Sequence, residues 1–97
     1  MPTLAWTGCD LQEGLNMRHE LKTWPVEFRA VRTGIKTAEF RSNDRGFSGG
    51  DTLLLCEWDP KTNCFTGEQE LVTVTHLVRG PIFGIPEGYI MMSIRRL

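Results

Sequence analysis

The hydrophobic pattern changes period at Gly34. Before it, Trp24, Phe28, Val31 and Ile35 fall at spacings of four, three and four, one stripe along a helix. Thr23 can cap the start, and Pro25 is tolerated in the first turn. Gly34 is placed to end the element in a left-handed conformation. The pattern predicts a helix over residues 24–33, with Trp24 opening the buried stripe and Arg29 and Arg32 toward solvent. After Gly34 the period becomes two. Ala38 and Phe40 share one face of a strand over 37–41, and Thr37, Glu39 and Arg41 share the other. A second strand over 52–58 groups Leu54, Cys56 and Trp58. Residues 59–63 are turn chemistry, and Gly67 extends the hairpin loop. Residues 70–78 alternate again, with Val72, Val74, His76 and Val78 together. Gly80-Pro81 breaks that strand and opens a Gly- and Pro-rich loop over 82–88. A last strand over 89–95 turns Ile90, Met92 and Ile94 inward. A short strand over 19–22 precedes the helix.

One helix and about five short strands predict a mainly β (α+β) fold, a small antiparallel barrel. A chain of 97 residues holds one core. Residues 1–16 lack either period and read as an N-terminal extension to a domain over 17–97; Leu4 and Trp6 are available to drape it on the barrel. The apolar runs, such as 53–55, are far too short to span a bilayer. The N-terminus lacks the basic segment and apolar core of a signal peptide, so a cytoplasmic protein without membrane contact is expected. Cys9, Cys56 and Cys64 are odd in number and lack CxxC spacing. They read as reduced thiols, Cys56 in the core, with no metal site and no cofactor expected.

Charge adds one asymmetry. The net charge is −1, too small for the whole-protein field to drive nucleic-acid binding. Yet residues 18–45 carry seven cations against four acids, and residues 46–94 two cations against six acids. If the first block forms one surface, that surface is positive; otherwise it is a mixed solvated face. The densest charge lies in Gly34–Arg41. Lys36 sits in the turn between helix and strand, where its ammonium can meet a phosphate or a carbonyl oxygen, or pair with Glu39. Glu39 can bond a base edge or an amine, act as a general base, or hold Arg41 or Lys36. Arg41 can grip phosphate with its planar fork. Arg45 is a further ligand candidate or a loop partner of Asp44. Lys22 supplies a second cation, and Tyr89, alternating away from Ile90, can stack a base. His76 is expected half-buried on a valine face, and His19 more open.

Gly34, Lys36, Glu39 and Arg41 match the GxKxxExR motif of ASCH domains in the PUA-like superfamily. The flanks 19–25, 43–45, 50–51, 57–60 and 66–67 resemble the DUF3850 branch, common in bacteria and their phages. The resemblance covers about residues 18–95. It implies a PUA-like pseudo-barrel with a helix beside a cleft proposed to bind RNA. Some bacterial ASCH proteins hydrolyse the amide of N4-acetylcytidine, using the motif lysine, a threonine three residues later and a distant glutamate. This chain keeps Lys36 but carries Glu39 where that threonine would stand.

The leading expectation is an RNA- or nucleotide-binding domain with a basic cleft formed by Lys22, Lys36 and Arg41, Glu39 making the base-edge or amine contact. One alternative is a small hydrolase of a modified nucleoside such as N4-acetylcytidine, with Lys36 and Glu39 as the acid/base pair. The other is a phage interaction protein that binds a host partner through the same surface.

Overall fold

The computed structural model describes residues 16–97. The expected extension, with Leu4, Trp6 and Cys9, lies outside the described residues except for Asn16. The elements run β1 (Arg18–Thr23), α1 (Pro25–Arg32), β2 (Ala38–Ser42), β3 (Thr52–Asp59), β4 (Cys64–Arg79) and β5 (Tyr89–Arg96). The strands form one curled sheet, a half-barrel, in the order β1-β3-β4-β5-β2. Three pairings are antiparallel, as expected. The pair β1–β3 is parallel, Leu21 facing Leu55. The chain leaves β1 through α1 and β2 at the far edge before returning as β3, and that long crossover permits a parallel neighbour.

Helix α1 is shorter than its sequence stripe. It buries Phe28 and Val31 and ends at Arg32, with Gly34 at a φ of 83°. That left-handed backbone suits glycine. Ile35 lies past the turn and is 84% exposed. Trp24 is the N-cap and 59% exposed, not a core residue. Thr23 is not the cap: it is the buried last residue of β1. Arg32 fastens the helix to β4, pairing with Glu68 at 2.8 Å and Glu70 at 2.6 Å.

The core joins Leu21, Phe28, Val31, Phe47, Leu53, Leu55, Val72, Val74, Ile90, Met92 and Ile94. Each large apolar side chain buried there contributes roughly 1.5–3 kcal/mol. The inward face of β5 is as expected. In β3 the core face is Leu53 and Leu55, and Cys56, on the other face, is only half-buried. The run Leu53-Leu54-Leu55 is buried on both faces, so its period carries no phase information. In β4 the register shifts between Val74 and His76. Thr75 is the extra residue, and one extra residue reverses the faces beyond it. Leu77 therefore packs on the core, while His76 is exposed, not half-buried.

His19 is buried rather than open. Its Nε2 lies 2.9 Å from Oδ2 of buried Asp51. The same carboxylate accepts the backbone N–H groups of Met17 and Ser48, each at 3.0 Å. Asp51 thus ties the 43–51 loop to the start of β1 and sets Phe47 in the core, where His19 meets its ring edge-on.

Candidate functional site

The edge strands β1 and β2 are not hydrogen-bonded to each other through a ladder. Arginine side chains cross the gap instead. Arg41 on β2 donates from Nη2 to the Lys22 carbonyl at 3.1 Å and lies 3.4 Å from Thr23 Oγ1. Arg45 donates to the Glu20 carbonyl at 2.8 Å. A cavity of about 570 Å³ opens along this seam, within the roughly 300–1,000 Å³ typical of small-molecule sites.

All six residues singled out in the sequence line it: Lys22, Lys36, Glu39, Arg41, Arg45 and Tyr89. They do not contribute alike. Glu39 is 3% exposed, its side chain on the inward face of β2. Its Oε1 accepts from Arg41 Nε at 2.9 Å. Its Oε2 stands 3.5 Å from the Lys36 ammonium, near enough for charge attraction, yet it is buried without a hydrogen-bond partner. Lys36 points its ammonium at Glu27 Oε1, 2.7 Å away. That contact, first as a hydrogen bond and then as charge attraction, holds the Glu27 carboxyl below the usual range. The Lys36 backbone N–H is fixed on the Ala30 carbonyl at 2.9 Å, so the end of α1 sets the root of this side chain.

The cleft is not simply basic. Lys36, Arg41 and Arg45 share it with Glu27, Glu39 and Asp44. Lys22 lines the cavity and adds its backbone carbonyl, and its ammonium lies 4.0 Å from the centre of the Trp58 ring. The first charge block is thus a mixed face in which three of the seven cations, Arg32, Lys36 and Arg41, pair with acids.

Three cavity residues escaped the sequence reading. Glu27 carries no local signal, since it meets Lys36 only once the helix ends. Phe40 is 54% exposed and stacks on Tyr89, ring centres 5.5 Å apart at an interplanar angle of 17°. The signal was the alternation itself: Glu39 and Phe40 cannot face the same way, and the charged face turned inward. Trp24, expected in the core, brings a second exposed aromatic surface to the cavity from the β1 side. Tyr89 is anchored at the close of the 80–88 loop, where Gly80 N–H meets its carbonyl at 2.9 Å. A Cβ on Gly80 would lie 1.9 Å from the Pro86 carbonyl oxygen, so no other residue fits that neck without displacing it.

The sequence profile of DUF3850, a domain of unknown function, matches residues 18–94. The chain belongs to the DUF3850 family. The match spans every strand but the last residues of β5, and all six site candidates. This DUF3850 chain is also 42% identical over 57 residues to the "Uncharacterized 12.9 kDa protein in GpA 3'region" of Escherichia phage P2. That alignment takes in 59% of this chain and 50% of the relative, so the chain spans about half the length of the curated relative it matches. No helix among the described residues of this DUF3850 domain is long and apolar enough to cross a membrane.

Proposed function

We propose that this DUF3850 chain is a PUA-like domain of the ASCH type that binds single-stranded RNA or a nucleotide in the cytoplasm, admitting one base to the β1–β2 cavity. The observation that carries this reading is Glu39 Oε2, a buried acceptor beside a cavity and without a hydrogen-bond partner. An unmet buried carboxylate oxygen costs free energy until a donor arrives. The amino groups and ring N–H groups of nucleobases are such donors. Trp24 lines the cavity from the β1 side, and the stacked Phe40–Tyr89 pair stands at its rim on the outer face of β2 and β5. Bases stack on such faces in single-strand binders, whatever their sequence. Arg41 and Arg45 at the seam, and Lys36 beside it, are within the same cavity for the phosphates.

Geometry favours binding over hydrolysis. A hydrolase that attacks through a protein hydroxyl needs that hydroxyl beside a base. The Thr23 hydroxyl lines the cavity, but its neighbour is the Arg41 guanidinium, a donor, and it points to the Leu21 carbonyl at 3.4 Å. Titration of a fluorescein-labelled single-stranded RNA by anisotropy at low salt tests the proposal. Binding by the wild type, lost on Glu39→Ala, is the expected result. Absence of binding at low salt overturns it and leaves the protein-partner reading in its place.

A further inference from the structure

We infer that the base taken into this cavity is guanine, read through its Watson–Crick edge by Glu39 and Lys36. The inference rests on the base-binding reading above and adds a choice of base to it. Oε1 of Glu39 accepts from Arg41 Nε at 2.9 Å, Oε2 is buried without a hydrogen-bond partner, and the Lys36 ammonium lies 3.5 Å from Oε2. An ionised carboxylate offers only acceptors, and an ammonium only donors. Taken in that order, the three groups offer acceptor, acceptor, donor.

Guanine carries the complementary row: N2–H donor, N1–H donor, O6 acceptor. Its N2–H would meet Oε1, N1–H would meet the unpartnered Oε2, and O6 would accept from Lys36. Adenine offers one donor beside an acceptor, so it satisfies Oε2 and Lys36 but leaves Oε1 without a contact. Cytosine does the same. Uracil has a single N–H between two carbonyls, and one of these would face Oε1, acceptor against acceptor. Inosine keeps N1–H and O6 and lacks only the N2 amine, so it isolates the contact to Oε1. Arg41 holds Oε1 before the ligand arrives, which lowers the ordering cost of the contact. A bidentate contact to a base edge commonly discriminates by about tenfold or more.

The test uses labelled hexauridylate and four relatives in which one central uridine is replaced by guanosine, inosine, adenosine or cytidine. The expected order puts the guanosine oligomer first, about tenfold tighter than the inosine one. Glu39→Gln, checked for folding by its thermal melt, keeps an oxygen toward Arg41 but sets an amide N–H against N1–H, so it is expected to weaken the guanosine and inosine oligomers alike. The wild-type comparison of guanosine with inosine needs no variant, so the inference stays testable if Glu39→Gln does not fold. Equal binding of all five oligomers, or preference for another base, overturns the choice of guanine and leaves base binding standing. Failure of all five to bind overturns the base-binding reading itself.

Discussion

Arg41 Nη2 donates to the backbone carbonyl of Lys22 at 3.1 Å, across a gap that no backbone hydrogen bond closes. The same guanidinium holds Glu39 through Nε at 2.9 Å. One side chain therefore joins the sheet edges and shapes the carboxylate beside them.

Arg41→Ala is expected to lower stability by about 2–3 kcal/mol, because it leaves the buried Glu39 carboxylate without its nearest partner. The double variant Arg41→Ala/Glu39→Gln should recover part of the loss, since the uncompensated charge is gone. Urea denaturation of the three proteins checks this. A double variant no more stable than Arg41→Ala would show that the charge is not the source of the loss.

Lys36→Arg separates binding from catalysis. Both side chains are cationic, so a binding role survives in large part, whereas a proton-transfer role does not, because the guanidinium does not release a proton. We expect a modest loss of RNA affinity and no acetate from N4-acetylcytidine with the wild type. Acetate release that disappears in both Lys36→Arg and Glu39→Gln would promote the hydrolase reading.

Asp51→Ala should be among the most damaging changes outside the cavity. It removes the acceptor for the Met17 and Ser48 N–H groups and the partner of buried His19. A loss on the order of 3 kcal/mol follows from leaving such groups unpaired. A thermal melt within a degree of wild type would contradict the anchoring role of this carboxylate.

Acid should act through Glu70. Burial raises its carboxyl, but Arg32 and Arg96 outweigh burial and hold it below the usual value of 4.5. A carboxyl depressed in the folded state contributes stability that is fully present above its unfolded pKa and is lost as pH falls through the folded one. Glu70→Gln should therefore be less stable than wild type at pH 7, and the gap should close toward pH 3. Melting temperatures at both pH values test it; a gap independent of pH would assign the effect to packing alone.

Salt should weaken RNA binding only gently. Lys36, Arg41 and Arg45 are the cations of the cleft, and Lys36 and Arg41 are already paired with acids. Counterion release from at most these three gives a slope of about −2 or shallower in log affinity against log salt. A slope several times steeper would point to a basic surface elsewhere.

The sequence was most legible where one signal dominated. The centre of α1 and the inward face of β5 followed from uninterrupted periods. The site followed from charge density, since Lys36, Glu39 and Arg41 are too close together for an ordinary core strand. Legibility failed where phase depends on tertiary pairing. The apolar run in β3 fits either face, and Thr75 reverses β4 through a bulge that no residue type announces. Trp24 was misread because a stripe records spacing and not how far the helix extends. The contact of Lys22 with Trp58 was hidden because the two residues are remote in sequence.

The matched charges of the cleft bear on how long a ligand stays. With carboxylates beside its cations, the site gains little from long-range attraction and relies on local fit. Such contacts act mainly on departure rates. A chain built this way would meet its ligand without much steering and would discriminate by how long each one stays.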